Sequence, residues 1–148
     1  MLSAMSIDIR GPRFAAALTT VVLAAVLITG SGPLLAWQAL CFALGALAGV
    51  QRSPYGRLFR TVVQPRLGPP AELEDPAAPR FAQAVGLLFS LAGLVGWFAG
   101  PQWLALAATG CALAAAFLNA AFGYCLGCEM YLLLRRATAG RSSEHAQT

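Results

Sequence analysis

Residues 12–50 read PRFAAALTTVVLAAVLITGSGPLLAWQALCFALGALAGV, and this stretch decides the fold. It consists of two apolar runs, about 14–30 and 34–50, that are separated by Ser31-Gly32-Pro33. Glycine frees the backbone and proline removes an amide donor, so the helix breaks between the runs. Each run has about 17 residues, near the lower limit for crossing a hydrocarbon core of roughly 30 Å. The stretch therefore predicts a tight hairpin of two transmembrane helices.

The composition of the whole chain indicates the same environment. Of its 148 residues, 58% are hydrophobic and 11% are charged, against roughly 45–50% and 25% in an average soluble domain. A soluble protein of this size cannot bury that much apolar surface, so lipid must be the solvent for much of it. The formal net charge is +4, and all the basic residues are arginines that flank the apolar runs. This distribution is typical of membrane topology signals, so we predict no nucleic-acid partner.

A second pair of apolar runs follows a polar middle segment. The third run extends over about 81–99, and a long apolar stretch then continues from Trp103 to Leu134. A single helix of about 32 residues would measure about 48 Å, which is more than the hydrocarbon thickness. We therefore expect the fourth span, about 103–122, to end at the two glycines that follow it. A short interfacial helix from Cys128 to Arg136 should come next.

The middle segment, 51–80, is predicted to be a cytoplasmic loop. Its first half, Tyr55 to Val63, places apolar residues at helical spacing beside arginines, which is typical of a short helix in the headgroup layer. Its second half, 65–79, carries too many prolines for a helix and is predicted to be extended. Polar residues also dominate 137–148, which we expect to be a flexible tail.

A repeated motif divides the chain into two halves. Pro12-Arg13-Phe14-Ala15 recurs as Pro79-Arg80-Phe81-Ala82, and each copy opens a hairpin whose turn is followed by a tryptophan, Trp37 or Trp103. Because both hairpins begin on the same side, the repeat is parallel, with a pseudo-twofold axis along the membrane normal. The predicted fold class is an all-α membrane protein, with a single domain over 1–136. Its four transmembrane helices form two parallel-repeat hairpins, with short interfacial helices after the second and fourth spans.

The arginines also predict the orientation. All ten lie in the N-terminal segment, the middle loop or the C-terminal segment, and neither hairpin turn carries a charge. By the positive-inside rule, both termini and the middle loop are cytoplasmic and the two turns face out. We expect a multi-pass protein of the plasma (inner) membrane, with the lipid bilayer as its surroundings. Arg10 and Arg13 before the first run also resemble a secretory signal, but the length of the run and its place in the repeat favour a retained helix.

Cys125-Leu126-Gly127-Cys128 is the motif with an evident chemical meaning. In thiol–disulfide exchange one cysteine attacks as a thiolate, and a second cysteine within reach resolves the mixed disulfide. We assign Cys125 as the attacking residue and Cys128 as the resolving one, so these two are the candidate catalytic residues. Plain helix packing is the competing interpretation. A zinc site would need two more ligands, from a second copy of the chain, so no metal is predicted.

Three other side chains are candidates for a substrate path. Cys41 and Cys111 lie inside apolar runs at similar distances after the two turns, and Asn119 lies near the end of the fourth run. Such residues more often pack helices together than bind substrates. No Asp, Glu, Lys or Arg lies deep within a run, which argues against a proton-driven transporter. No cofactor is predicted. The glycines of the third run permit close helix contact within the bundle or in a homo-oligomer.

Three stretches resemble a known family: Ile7 to Phe14, Arg66 to Pro76, and Phe117 to Tyr131. The family is an uncharacterised group of small bacterial membrane proteins, common in actinobacteria and described as a domain of unknown function. The resemblance covers nearly the whole chain, to about Arg136, and the motif around the cysteines is its most specific part. Members often occur near thioredoxin-like proteins and thiosulfate sulfurtransferases, so the resemblance implies a role in thiol or sulfur metabolism.

These observations lead to three hypotheses about function. In the first, the protein is a membrane-embedded thiol–disulfide or sulfur-transfer component whose CxxC pair exchanges electrons or sulfane sulfur with a cytosolic thioredoxin-like or sulfurtransferase partner. In the second, it carries a small sulfur compound such as thiosulfate, and cysteines along the pore bind the cargo transiently. In the third, it is a structural membrane subunit without catalysis. The sequence leaves open whether the protein is an enzyme.

Overall fold

In the computed structural model the chain is almost entirely helical. The structure describes residues 7–8, 10–67, 73–74 and 77–147. Its elements, in chain order, are β1 (Ile7–Asp8), α1 (Arg10–Thr29), α2 (Gly32–Ala48), a 3-10 turn (Val50–Arg52), α3 (Pro54–Leu58), a π-helical segment (Phe59–Val63), α4 (Gln64–Leu67), β2 (Leu73–Glu74), α5 (Ala77–Ala99), α6 (Gln102–Phe122) and α7 (Leu126–Gln147). The two short strands pair antiparallel, with Ile7 opposite Glu74.

Three of the helices, α1, α5 and α6, are long and apolar enough to cross a membrane. Helix α2 is also apolar but has 17 residues, about 25 Å at 1.5 Å per residue. The lengths and apolar composition of these helices are consistent with a membrane protein, as the composition of the chain predicts. Helices α1 and α5 begin a few residues earlier than the apolar runs, because Pro12 and Pro79 fall in first turns, where a missing amide donor costs little.

Helix α2 runs antiparallel along α5 over almost its whole length. Gly32 at the start of α2 lies against Phe98 near the end of α5, Phe42 packs on Gly86, and Gly45 lies against Gln83. Helix α1 packs in the same way along α6, and α5 packs along α6. Helices α1 and α2 contact each other much less. Each half of the chain therefore binds mainly to the other half.

The core lies where the four apolar helices meet. Leu23 and Val26 of α1, Leu35 of α2 and Ala112 of α6 form its buried cluster, which Leu94 and Trp97 of α5 complete. Close approach of α5 to α6 depends on Gly96, because a side chain there would collide with the backbone of Ala105. Large apolar side chains such as Ile28 and Leu47 point outward and are 84% and 79% exposed. Lipid is the environment that accommodates such a surface.

The two copies of the PRFA motif perform the same task in opposite halves. Arg13 on α1 donates from Nη2 to the carbonyl of Ala120 near the end of α6, at 3.3 Å. Arg80 on α5 donates to the carbonyls of Ala46 and Leu47 at the end of α2, at 3.1 and 2.9 Å. A cation at a helix C-terminus satisfies free carbonyls and opposes the negative end of the helix dipole. Each arginine thus caps the second helix of the other hairpin.

Both capped helices are followed by a glycine with a positive φ angle. Gly49 follows α2 with φ 104°, and Gly123 follows α6 with φ 70°. Positive φ angles strain any residue with a Cβ, so glycine is the natural choice at both exits. The sequence repeat therefore corresponds to a structural repeat at this end of the bundle.

The segment after α2 folds back against the bundle and does not lie flat at its end. Tyr55 donates to Gln38 Oε1 at 2.9 Å and accepts from Trp37 Nε1 at 3.2 Å, and Gln38 Nε2 donates to Thr19 Oγ1 at 3.4 Å. Gln38 lies ten residues before Ala48, about 15 Å along the helix. The predicted helix at 55–63 is present, and the Tyr55 hydroxyl at its start reaches part of the way along α2. The Tyr55 hydroxyl is held there by its polar partners on α2.

Two other segments differ from expectation. Residues 137–147, expected to be a flexible tail, continue helix α7, because Arg, Ala, Glu and Gln are good helix formers. Of the expected extended stretch 65–79, Gln64–Leu67 and the start of α5 are helical, and Leu73–Glu74 is a strand. The rest of that stretch lies outside the described residues.

Candidate functional site

Cys125 and Cys128 form a disulfide at the junction of α6 and α7. Their Cα atoms are 5.1 Å apart. The other two cysteines, Cys41 and Cys111, are free thiols. The two cysteines that the motif singled out are thus brought together in their oxidised form.

The local backbone explains why Cys125 can take part in chemistry. After Gly123 turns the chain, Cys125 is the residue immediately before α7. Its Sγ accepts a hydrogen bond from the Cys128 amide at 3.2 Å, and its carbonyl accepts one from the Glu129 amide at 3.0 Å. Cys125 is therefore the N-cap of α7, with sulfur in the place of the usual oxygen. Amide donors and the positive end of a helix dipole stabilise a thiolate at this position once the disulfide is reduced.

The surroundings hold the pair firmly but leave it accessible. Gly127, between the cysteines, packs directly on Ala82, and a Cβ there would come within 2.6 Å of the Ala82 Cα. One turn on, the Tyr131 ring packs against Phe81 with centroids 5.7 Å apart. Both contacts fix the start of α7 on the start of α5. Cys125 and Cys128 are each partly exposed, as a disulfide that exchanges with a partner must be.

The first half of the chain contains a counterpart of this helix start. Ser53 is the N-cap of α3, where its hydroxyl accepts from the Gly56 amide at 3.2 Å and donates to the Val50 carbonyl at 2.7 Å. Six residues after Ser53, Phe59 packs on Phe14, with ring centroids 5.8 Å apart. In the second half, Tyr131 follows Cys125 by six residues and packs on Phe81, the PRFA counterpart of Phe14. Cys125 thus occupies the position that Ser53 occupies in the first half.

The three path candidates do not come together. Cys41 is buried in α2, Cys111 is exposed on α6, and Asn119 is partly buried near the end of α6. A transport path needs its binding groups to share one interior surface, and these groups do not. Cys41 instead lies close enough to Tyr55 for a side-chain hydrogen bond.

The polar cluster around Tyr55 was missed by the sequence analysis, which gave Gln38 no role. Its hydrogen bonds run from Trp37 to Tyr55, on to Gln38 and then to Thr19. Burial, together with the neighbouring Cys41, raises the pKa of Tyr55 to about 12. Tyr55 therefore stays protonated at any physiological pH. Because its polar groups bond to one another, this cluster joins helices and is not an open site.

Among the described residues, no group of three or more His, Cys, Asp or Glu side chains lies close enough together to hold a metal ion. Glu129, beside Cys128, is exposed.

Comparison with known families identifies the chain at the family level. The model of a domain of unknown function, DUF4395, matches residues 7–136. The chain belongs to this family. No curated protein and no solved structure matches the chain. The DUF4395 match includes the apolar helices, both PRFA motifs and the cysteine pair. Because the description of DUF4395 names no activity, function has to be argued from the disulfide and its surroundings.

Proposed function

We propose that this DUF4395 protein is a membrane-embedded thiol–disulfide exchange component that acts on a thioredoxin-like partner through Cys125 and Cys128. The observation that carries the proposal is the placement of Cys125. Its sulfur is the N-cap of α7, is partly exposed, and is bonded to a second cysteine three residues on. An oxygen or a sulfur can cap the helix here, but an attacking thiolate also gains stabilisation from the helix start.

The exchange proceeds in two displacements. In the reduced protein the Cys125 thiolate attacks a partner disulfide, a mixed disulfide forms, and one partner sulfur leaves as a thiolate that takes up a proton. The Cys128 thiolate then attacks the Cys125 sulfur, the intramolecular disulfide forms, and the second partner thiol is released. Two electrons move from this protein to its partner. The same steps in reverse let a dithiol partner reduce the Cys125–Cys128 disulfide.

The proposal includes a topology of four spans, with α2 as the second. Its support is the antiparallel course of α2 along α5 and the absence of charge within α2. Arg13, Arg80 and the cysteine pair lie at one end of the bundle, because both arginines bond to the helix exits there. By the positive-inside rule this end is cytoplasmic. A cytosolic partner would then reach the disulfide without crossing the bilayer.

The topology is tested by labelling single cysteines in a chain whose four native cysteines have been replaced. Ser31→Cys and Gln102→Cys should react with an impermeant maleimide from outside intact cells. Ser142→Cys should react after permeabilisation. Reaction of Ser142→Cys in intact cells would overturn the orientation, and protection of either turn would overturn the four-span course.

Partner trapping tests the exchange chemistry. Cys128→Ser should leave Cys125 able to form a mixed disulfide but unable to resolve it, so an adduct with a thioredoxin-like protein should accumulate. Cys125→Ser is the matched control and should form none. If the two variants behave in reverse, the attacking and resolving roles are exchanged. If neither traps a partner while both keep the wild-type fold, the exchange function is wrong.

The carrier hypothesis requires a different arrangement of side chains. It needs Cys41, Cys111 and Asn119 along one path, whereas Cys41 is buried in α2 and Cys111 is exposed on α6. Replacing both Cys41 and Cys111 by Ala should therefore leave partner trapping unchanged. We draw no second candidate function from these residues.

A further inference from the structure

We infer that Arg13 is a positioning residue for the exchange reaction, which orients the Gly123–Cys125 turn and supplies the positive charge that favours the Cys125 thiolate. This inference rests on the proposed function and adds a residue from the opposite end of the sequence to the site. The sequence analysis placed Arg13 among the topology signals and gave it no part in the chemistry.

The geometry places the Arg13 guanidinium at the turn. Its Nη2 donates to the Ala120 carbonyl at 3.3 Å. A Cβ built on Gly123 would lie 3.5 Å from the Arg13 Cζ. Gly123 precedes Cys125 by two residues, so at most about 8 Å of backbone separates their Cα atoms. The charge therefore lies against the chain segment that determines where the cysteine points.

The electrostatics of the turn explain why a cation is needed there. Cys125 lies between the C-terminal end of α6 and the N-terminal end of α7. The first end carries a partial negative charge that opposes a thiolate, and the second carries a partial positive charge that favours one. Arg13 bonds to the first end and offsets its charge. The positive end of α7 can then stabilise the Cys125 thiolate, because the negative end of α6 no longer opposes it.

Other charged and titratable groups lie on the helices that meet at the turn. From α7, Glu129 and Tyr131 follow the cysteines, and the carboxylate of Glu129 opposes a thiolate. From α5, Arg80 bonds to the carbonyls of α2. From α1, Arg13 bonds to α6. Arg13 is thus the cation that the structure places against the exit leading to Cys125.

The internal repeat provides a matched control. Arg80 caps α2 as Arg13 caps α6, but the chain that leaves α2 leads to Ser53, a buried hydroxyl. Loss of either arginine removes a helix cap and exposes carbonyls. Loss of Arg13 alone should alter the reactivity of a thiol.

The test uses the full chain in detergent or nanodiscs, with Cys41 and Cys111 replaced by Ala and Cys128 by Ser, so that Cys125 is the one thiol. The rate of its alkylation by iodoacetamide is measured from pH 5 to pH 10. Arg13→Gln should raise the pH midpoint of alkylation by roughly half to one unit and slow the reaction several-fold at pH 7. Arg13→Lys should recover much of the rate, and Arg80→Gln should leave the midpoint unchanged.

Two results would overturn the inference: an unchanged midpoint in Arg13→Gln, or an equal shift in Arg80→Gln. If Arg13→Gln does not fold, salt provides the second measurement. In the chain with Arg13 intact, raising the salt from 0.05 to 0.5 M should raise the midpoint, because screening weakens the attraction between guanidinium and thiolate. A midpoint that ignores salt would also overturn the inference. Alkylation needs no partner, so failure of partner trapping would leave this result standing.

Discussion

Ser53 and Cys125 occupy equivalent positions in the two halves of the molecule, yet one is a buried hydroxyl and the other a partly exposed thiol. Each accepts a hydrogen bond from the amide three residues on. Each stands six residues before an aromatic ring that packs on the phenylalanine of a PRFA motif. At both helix starts a backbone amide needs a hydrogen-bond acceptor, and either an oxygen or a sulfur atom can serve. Sulfur at the accessible copy, with a second cysteine nearby, adds redox chemistry without changing the fold.

The largest expected effect comes from exchanging the two caps. Cys125→Ser should abolish thiol–disulfide exchange but, relative to the parent with its disulfide reduced, change the free energy of unfolding by less than about 1 kcal/mol, since serine caps helices well. Ser53→Cys should keep the fold and add a thiol that resists alkylation, because position 53 is buried. Exchange assays, thermal denaturation and maleimide labelling measure these outcomes. A freely labelled Ser53→Cys would contradict the comparison, because it would show that the two helix starts do not differ in burial.

Large stability effects should follow from the glycines one turn into each helix. Gly56→Ala drives a methyl group into the carbonyl of Val50, and Gly127→Ala drives one into Ala82. Overpacking of this kind costs about 1–3 kcal/mol. We expect Gly56→Ala to cost more, because it meets backbone in the interior, whereas α7 can shift outward. Gly110→Ala, which meets open space, is the control in thermal denaturation, and an equal loss there would refute the packing argument.

A smaller effect on stability should distinguish Tyr55, near the start of α3, from Tyr131 of α7. Tyr55→Phe leaves Gln38 Oε1 and Trp37 Nε1 without their partner, at a cost of about 0.6–2 kcal/mol in a membrane protein. Tyr131→Phe keeps the ring contact with Phe81 and should cost less. Unfolding in a graded denaturant series measures both. Equal losses would mean that the Tyr55 hydroxyl contributes no more than its ring.

Tyr55 also predicts how the free energy of unfolding depends on pH. The folded pKa of Tyr55, about 12, lies above the ordinary value of 10. Its contribution is therefore complete below pH 10 and is lost as the pH rises from 10 towards 12. Unfolding measured from pH 8 to 12 should show this decline in the parent and a weaker one in Tyr55→Phe. Identical declines would assign the alkaline loss to other groups.

The smallest effect should come from Arg80→Gln. Loss of the bonds to Ala46 and Leu47 removes a C-terminal cap worth about 0.3–1 kcal/mol. Exchange activity should stay at the parent level, because the chain after α2 carries no redox pair. Thermal denaturation and partner trapping on one preparation measure both quantities. A loss of trapping with Arg80→Gln would contradict the account, because it would show that the cap of α2 also affects the exchange reaction.

Much of the fold could be predicted from residues that act locally. The apolar runs predicted the helices, Ser31-Gly32-Pro33 predicted the first break, and the PRFA pair predicted the repeat. What Arg13 and Arg80 bond to could not be predicted, because each crosses to the other hairpin. That Ser53 and Cys125 occupy equivalent positions could not be seen in the sequence, because their separation differs from that of the two PRFA motifs. The PRFA arginines are 67 positions apart and the two caps 72, so no single offset aligns both.

The candidate site was predictable in part for the same reason. Cys125 and Cys128 are recognisable from their spacing, and the structure brings them together. Tyr55 was placed on an interfacial helix because its neighbours are arginines, and nothing local shows that its hydroxyl meets Gln38. The position of such a side chain depends on contacts between segments that are distant in the sequence. The periodicity of apolar residues predicts each helix separately and says nothing about those contacts.

The redox state of Cys125 and Cys128 in living cells tests the central claim most directly. Cells are quenched with acid, free thiols are alkylated with a mass tag, and the tagged fraction is compared before and after brief treatment with diamide and then with dithiothreitol. The account predicts a pair that is oxidised and reduced reversibly within minutes, while Cys111 in a Cys125→Ser, Cys128→Ser chain keeps a constant state. A pair that stays fully reduced under diamide, or fully oxidised under dithiothreitol, would contradict it.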